Sequence, residues 1–212
     1  MARVSLDGFY AVLDRDDEGL ARSLVSNGAG ILQVRIKAGT RPAGAAEILR
    51  VARMARTICD EHGAKLVVND RFDLALLAKA DGVHLGQTDL PIERVRAIVG
   101  DRLFIGVSTH NAEQVRTALR AAPDYIAYGP VFETTTKENP DPVQGLEALS
   151  RAVEIAGSTP LVAIGGITSE RVAEVYGTGV ASICAISAVN NALDVGLAAH
   201  EFSRRRVDRN AR

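Results

Sequence analysis

The side chains best suited to chemistry follow short apolar runs along the chain. Gln33, Arg35 and Lys37 come at every second position after the run GIL. Alternate residues of an extended strand point to one face, so these three share a face that Val34 and Ile36 do not. If that face points into the protein, an amide and two cations meet there. The alternative is that Arg35 and Lys37 leave the strand into solvent.

Two carboxylates follow the next two apolar runs. Asn69 and Asp70 come after KLVV, and Asp89 lies in GQTD. Two carboxylates from neighbouring strand ends can hold one hard cation, and Mg²⁺ usually takes one or two carboxylates with phosphate oxygens and water. Together with the cations, they indicate a metal-bound polyphosphate. The alternative is helix capping, by Asp70 for RFDLALLAKA and by Asp89 for the helix after Pro91.

Hydroxyls and glycines follow later runs. Ser108 and Thr109 in GVSTHN offer hydroxyls, although Thr109 or Asn111 could instead cap a helix. Gly165 and Gly166 come after PLVAI, where a barrel often binds phosphate through backbone N–H groups. A tight turn would also need glycine.

The longest connection, GPVFETTTKENPDPVQG, carries the donors Thr134, Thr135, Thr136 and Lys137. Long loops in compact domains are often lids or binding loops, and ordering this one over a substrate would exclude water. The alternative is a purely solvated loop.

Eight strands and intervening helices are needed to position these residues. The apolar runs are GFYAVLD, GILQVRI, AKLVVND, DGVHLG, LFIGVST, DYIAYGPVF, PLVAIGGI and ASICAIS. Such near-continuous apolar strands indicate a parallel sheet buried on both faces, and the segments between them have helical periodicity. The runs recur about every 25 residues, the length of one βα unit. We therefore expect an α/β fold, a single (β/α)8 TIM barrel forming one domain over residues 1–212, with a doubly wound sheet as the rival.

Composition narrows the class of protein. The 212 residues include 25 Lys and Arg against 26 Asp and Glu, a formal net charge of −1, so we expect no nucleic-acid partner. No apolar stretch reaches the length of a membrane span, and no secretory signal is recognisable, so we expect no membrane partner and a cytoplasmic location. Cys59 and Cys184 indicate neither a disulfide framework nor a zinc site. His84, a lone strand histidine, is expected to be a core group with satisfied hydrogen bonds.

The ordered motifs QVRIK, NDR, DGVHLGQTDLP, GVSTH, GPVFETTTK, AIGGIT and CAIS resemble those of the thiamine-phosphate synthase family. The similarity runs from about residue 8 to about residue 200. It implies a barrel enzyme, a transferase, that joins 4-amino-5-hydroxymethyl-2-methylpyrimidine diphosphate to 4-methyl-5-(2-hydroxyethyl)thiazole phosphate or its carboxylated form. The products would be thiamine phosphate and diphosphate, with Mg²⁺ as cofactor.

The resemblance also implies roles for individual residues. Asp70 and Asp89 match the family's Mg²⁺ ligands, and Arg35, Lys37 and Lys137 are the expected catalytic residues. The pyrimidine diphosphate contacts would be Gln33, Arg35, Lys37, Asn69, Ser108 and Lys137. The thiazole phosphate contacts would be Thr134, Thr136, Gly166, Ile183 and Cys184. The implied mechanism is dissociative: diphosphate leaves a pyrimidine methyl cation, and the thiazole nitrogen attacks it without any protein nucleophile.

Two positions depart from the family pattern. Ile36 stands where an acidic residue is common, and Cys184 stands where Ser is frequent. Two other functions stay open: a thiazole tautomerase, which needs no diphosphate or metal residues, and a noncatalytic barrel that binds thiamine precursors. The expected partners are small phosphorylated molecules, and a homo-oligomer is compatible with the sequence.

Overall fold

Eight parallel strands close into a barrel in chain order, β1-β2-β3-β4-β5-β6-β7-β8, as the sequence predicts. The computed structural model describes residues 4, 6, 9–36, 43–134 and 141–204. Because β1 pairs with both β2 and β8, the doubly wound alternative is wrong. One domain over the whole of 1–212 stays a prediction, since the described residues stop short of both ends.

The strands and helices alternate as the βα pattern requires. The strands are β1 Phe9–Leu13, β2 Ala29–Val34, β3 Lys65–Asn69, β4 Gly82–Leu85, β5 Phe104–Thr109, β6 Tyr125–Tyr128, β7 Leu161–Ile164 and β8 Ser182–Ala185. The helices are α1 Glu18–Ser26, α2 Ala45–His62, α3 Phe72–Leu77, α4 Ile92–Val99, α5 Ala112–Arg120, α6 Gly145–Ala156, α7 Val172–Gly177, α8 Ser187–Asn190 and α9 Val195–Arg204. Short 3₁₀ turns, Gly100–Arg102 and Ser169–Arg171, follow α4 and precede α7. Among the described residues, no helix is both long and apolar enough to cross a membrane.

Each strand is apolar on both faces because it is covered on both. In β1, Phe9, Ala11 and Leu13 pack under the helices, whereas Tyr10 and Val12 point into the barrel. The same alternation holds in the other strands, with an outer layer of Val, Leu, Ile and Ala against the helices. Near-continuous hydrophobicity is what a parallel sheet under helices demands.

The barrel interior is packed around a tyrosine that needs space. A Cβ at Gly106 on β5 would lie 1.9 Å from Cζ of Tyr125 on β6. Only glycine allows this approach. The Tyr125 ring therefore lies across the middle of the barrel, fully buried.

Carboxylates anchor the amino-terminal ends of two strands to helices. Asp81, just before β4, accepts hydrogen bonds at Oδ2 from the Leu66 N–H (2.8 Å) and Arg56 Nη1 (2.6 Å). The arrangement recurs before β6, where Asp124 pairs with Arg96 of α4. These contacts lie at the opposite end of the barrel from the carboxyl ends of the strands, where barrel enzymes carry their chemistry.

Candidate active site

The carboxyl ends of β2 to β5 bring together most of the polar residues expected to bind a pyrimidine diphosphate. Gln33 lies in β2 and Arg35 follows it, Asn69 ends β3, and Ser108 lies near the end of β5. Lys37, Thr136 and Lys137 lie outside the described residues, so their roles stay predictions.

Arg35 faces the mouth of the barrel. Its N–H donates to the Leu13 carbonyl at 2.9 Å, which continues the pairing of β1 and β2 beyond the strand end. Its positive charge lowers the pKa values of Asp70, His84 and Cys184, which lie on β3, β4 and β8 or at their ends. The Arg35 side chain is therefore within electrostatic reach of groups on three other strands.

Asp70 and Asp89 meet at this mouth and cap no helix. Their side chains are within hydrogen-bonding distance of one another. One oxygen of Asp89 also accepts the Gly86 N–H at 2.6 Å. The residues that immediately precede α3 and α4, Arg71 and Pro91, provide no side-chain cap. The capping alternatives for both aspartates are therefore wrong.

Burial and a neighbouring negative charge both act on the Asp70 carboxyl. Partial removal of water by the surrounding strand ends raises the pKa of the Asp70 carboxyl, although much of the residue stays open to solvent. The hydrogen bond to Asp89 and the negative charge of that residue raise it further, and Arg35 opposes the rise. A nearby negative charge disfavours the ionised form of the Asp70 carboxyl, and a nearby positive charge favours it.

A chain of hydrogen bonds crosses the barrel interior from β2 to β5. Gln33 Nε2 donates to the Tyr10 hydroxyl at 2.9 Å, and the hydroxyls of Tyr10 and Tyr125 lie 2.7 Å apart. Tyr125 Oη is 2.8 Å from His84 Nδ1, and His84 Nε2 is 2.8 Å from Ser108 Oγ. We call these five side chains the polar chain. It joins Gln33 to Ser108, the two residues at its ends.

Burial keeps the interior of the polar chain uncharged. Desolvation, with a smaller contribution from the charge of Arg35, lowers the pKa of His84 to about 4. Desolvation likewise raises the pKa values of Tyr10 and Tyr125. At neutral pH the three groups are therefore a neutral imidazole and two phenols. Both ring nitrogens of His84 have partners, as expected for a satisfied core histidine.

The polar residues at and just after the end of β5 have different roles. Ser108 is half-buried at the mouth, in the polar chain. Thr109 is fully buried and donates to the Ala127 carbonyl at 2.9 Å, so it belongs to the packing of β5 on β6. Asn111 caps α5 by accepting the Gln114 N–H at 2.9 Å. Of the two capping alternatives, Asn111 is right and Thr109 is wrong.

Gly166 lies against the segment that leads into the β6 loop. Its φ is +64°, and a Cβ there would be 2.2 Å from the Glu133 carbonyl oxygen. The N–H of Phe132 donates to the Gly165 carbonyl at 3.0 Å. This contact brings Gly166 close to Thr134, the next residue after Glu133, so two of the expected thiazole phosphate contacts lie together.

The expected contacts on β8 lie within the strand. Ile183 pairs with Ala163, and its side chain packs in the outer layer under the helices. Cys184 points into the barrel opposite Tyr10, and burial raises its pKa to about 12. β8 ends at Ala185, so the turn open to the mouth begins after both residues. Ile186 and Ser187 are the first residues beyond the strand, and the contacts of Ile183 and Cys184 with a thiazole phosphate stay predictions.

Sequence reasoning missed Tyr10 and Tyr125. Both lie in apolar runs, which by themselves indicate only strand residues. A signal was available: a buried tyrosine hydroxyl needs a hydrogen-bond partner, and both occupy inward-facing positions of their strands. The hydrogen-bond partners of these two hydroxyls must therefore lie in the barrel interior.

A closed barrel of eight parallel strands, with cations, carboxylates and hydroxyls at its carboxyl end, defines a (β/α)8 barrel enzyme. The family model described as thiamine monophosphate synthase matches residues 9–189. The chain belongs to that family. Its activity is that of a thiamine-phosphate synthase, a transferase.

Individual relatives are similar in sequence or structure over most of the chain. A thiamine-phosphate synthase of Koribacter versatilis is 44% identical over 87% of this chain and 89% of its own. One from Methanoregula boonei is 40% identical over 90% of this chain and 86% of its own. The solved thiamine phosphate pyrophosphorylase from Pyrococcus furiosus superposes with a TM-score of 0.85 at 35% identity, covering 98% of both chains.

Proposed function

We propose that this chain couples 4-amino-5-hydroxymethyl-2-methylpyrimidine diphosphate to 4-methyl-5-(2-hydroxyethyl)thiazole phosphate, or its carboxylated form. The observation that carries the proposal is the juxtaposition of Arg35 with the paired carboxyl groups of Asp70 and Asp89. A thiazole tautomerase would have no use for this combination. A diphosphate with a divalent cation needs both charges.

The pyrimidine diphosphate would lie across the ends of β2 to β5. Gln33 and Ser108 would contact the ring, and Arg35 with Asn69 would contact the diphosphate. Lys37 and Lys137 are proposed as further cations on the diphosphate. Arg35 suits this role because its planar guanidinium can donate two parallel hydrogen bonds to phosphate oxygens.

Asp70 and Asp89 are proposed to hold Mg²⁺. The donor set fits because a divalent cation would offset the negative charge that the neighbouring Asp89 places on Asp70. The described residues contain no cluster of three or more His, Cys, Asp or Glu side chains suited to a metal. Mg²⁺ commonly uses two carboxylates and takes its other ligands from substrate phosphate and water. When bound, it would neutralise negative charge on the diphosphate.

The thiazole phosphate is proposed to bind beside Gly166, Thr134 and Thr136. The backbone of β8 was expected to contribute through Ile183 and Cys184. We propose instead that the turn at Ile186 and Ser187 provides the backbone donors, because Ser187 is exposed and the first turn of a helix leaves N–H groups without partners in the helix.

The proposed mechanism is dissociative. Arg35, Lys37 and Lys137 would stabilise charge that develops on the leaving diphosphate, and each such preorganised donor contributes roughly 3 to 4 kcal/mol. The resulting pyrimidine methyl cation would be attacked by the thiazole nitrogen, so the protein supplies no nucleophile. Water must be kept from the cation while the second substrate attacks.

The coupling reaction itself tests the proposal. Purified protein with both substrates and Mg²⁺ should release thiamine phosphate and one equivalent of diphosphate, and chelation of the metal should suppress both products. Binding of both substrates without diphosphate release would support the noncatalytic barrel. Isomerisation of a thiazole carboxylate phosphate without coupling would support the tautomerase. The cytoplasmic location and a homo-oligomer stay predictions from the sequence.

A further inference from the structure

The polar chain has only two fully bonded arrangements of its protons. A tyrosine hydroxyl between two neighbours can accept from one and donate to the other, and a neutral imidazole accepts at one nitrogen and donates at the other. Each choice along the chain therefore determines the next. Protons point either from Gln33 toward Ser108 or from Ser108 toward Gln33.

The orientation of the Gln33 amide selects between them. With Nε2 donating to Tyr10, the Tyr10 hydroxyl donates to Tyr125 and the Tyr125 hydroxyl donates to His84 Nδ1. His84 then carries its proton on Nε2 and donates to Ser108 Oγ. In this arrangement Ser108 keeps its own hydroxyl proton for a group in the mouth, and Gln33 turns its carbonyl Oε1 away from Tyr10.

We propose that the polar chain sets opposite hydrogen-bonding characters at Gln33 and Ser108, with an acceptor at Gln33 and a donor at Ser108. The inference rests on the proposed function, because its ligand is the aminopyrimidine. That ring presents an exocyclic amino donor and a ring-nitrogen acceptor, which match in chemical type an acceptor at Gln33 and a donor at Ser108. Tyr10, Tyr125 and His84 are then positioning residues, which act on the substrate only through Gln33 and Ser108.

Burial makes the coupling between the two ends strong. Tyr10 and Tyr125 are 2% and 0% exposed, so neither hydroxyl can exchange its partner for bulk water. Reversing the direction requires the Gln33 amide to flip and every proton of the polar chain to move together. The Tyr125 ring also stacks on His84, with centroids 5.6 Å apart, which limits rotation of the imidazole.

The protonated nitrogen of His84 is measured first, in the ligand-free protein. The chain has four histidines, and histidine-specific ¹⁵N labelling with a His84→Gln variant assigns the signal. We expect a neutral imidazole protonated on Nε2 at pH 7, becoming a mixture of tautomers in Tyr125→Phe. A proton on Nδ1, or an unchanged spectrum in Tyr125→Phe, would overturn the proposal. This measurement does not depend on the coupling activity, so it separates failure of the inference from failure of the proposed function.

Kinetics then test the consequence for substrate recognition. Tyr125→Phe should raise KM for the pyrimidine diphosphate about tenfold, the loss expected for one well-formed hydrogen bond, and leave KM for the thiazole phosphate unchanged. Tyr176→Phe is the matched control, because Tyr176 is a buried tyrosine of α7 outside the barrel. Equal rises in both KM values would indicate general disruption and would refute the inference.

A double variant distinguishes a connected chain from two independent contacts. Either substitution interrupts the same polar chain. The KM for the pyrimidine diphosphate in the double variant Tyr10→Phe, Tyr125→Phe should therefore rise far less than the product of the rises in the two single variants. Discrimination against the 4-oxo pyrimidine diphosphate, which reverses the ligand's donor and acceptor, should fall about tenfold in each single variant. Multiplicative losses or unchanged discrimination would overturn the proposal.

Discussion

Asp70 combines an uncommon backbone conformation with a charged partner. Its φ is +61°, in the left-handed region that few residues other than glycine, Asn and Asp enter. Such conformations persist where the surrounding structure enforces them and are frequent at functional sites. Here the Asp70 N–H donates to the His84 carbonyl at 2.8 Å, which holds the carboxyl group beside Asp89.

Removing one charge from this pair should weaken metal binding without unfolding the protein. In Asp89→Asn, an amide oxygen can still accept the Gly86 N–H, so the turn is retained while a carboxylate ligand is lost. We expect Mg²⁺ affinity in the presence of inorganic diphosphate to fall about tenfold or more, measured by isothermal titration calorimetry.

The control for this variant is Asp73→Asn. Asp73 is a nearby exposed carboxylate of α3 that pairs with Arg71. The Asp73→Asn substitution should leave Mg²⁺ affinity unchanged. Unaltered Mg²⁺ affinity in Asp89→Asn would remove this residue from the metal site.

The turn after β7 shows how two neighbouring loops determine one another's position. Because Gly166 has no Cβ, the backbone of the loop after β6 can lie directly against it. Gly166→Ala should push Glu133 and its neighbours away, since a gap of 2.2 Å is far below van der Waals contact. We expect KM for the thiazole phosphate to rise at least several-fold, with the pyrimidine diphosphate KM less affected.

Gly63→Ala provides the matched control for that experiment. Gly63, which follows α2, has a left-handed backbone conformation with φ +70° and ψ +17°, and a Cβ there would meet no atom within 4 Å. It should therefore show only the cost of a left-handed alanine, about 1 kcal/mol in the free energy of unfolding. If Gly63→Ala changed the thiazole phosphate KM as much as Gly166→Ala, backbone strain and not crowding of the loop would be responsible.

In the whole molecule, the carboxylates that anchor strands to helices and the residues of the candidate active site lie at opposite ends of the barrel. Burial alone would raise the pKa of Asp81, but hydrogen bonds from Arg56, the Leu66 N–H and Lys65 outweigh it and lower the pKa. Because the folded pKa lies below the unfolded value, the ionised form stabilises the protein above about pH 4. That contribution is lost as the pH falls through the folded pKa.

Asp81→Asn should therefore reduce the free energy of unfolding by about 2 kcal/mol at pH 7, and by less at pH 3. Urea denaturation at the two pH values measures both. Asp60→Asn is the control, because Asp60 pairs with the same arginine from an exposed position and should change stability by no more than about 0.5 kcal/mol. Both KM values of the folded Asp81→Asn protein should match those of the parent; a changed KM would contradict the separation of the two ends.

The fold could be predicted from the sequence because its signals are local and repeated. Each strand carries its own apolar run, and the spacing of those runs specifies the βα unit. Strand alternation also put Gln33 and Arg35 on one face, but it left open whether that face points into the barrel. The polar chain could not be predicted in this way, because it depends on which inward residues of non-neighbouring strands meet across the interior. Which residues of the run ASICAIS face the mouth could not be predicted either, because the run does not show which of its residues lie within β8 and which follow it.

The contact between Tyr10 and Tyr125 also has a consequence for how the chain folds. The two residues are separated by 115 positions, and their hydroxyls meet only when the first and sixth strands stand around one axis. A fragment holding only the first four or the last four strands would lack this contact and would expose its inward-facing apolar side chains to water, which is unfavourable. Loop closure over this distance slows folding, so we expect a high entropic barrier followed by an all-or-none final step. Independent half-barrels are therefore poor folding intermediates for this sequence.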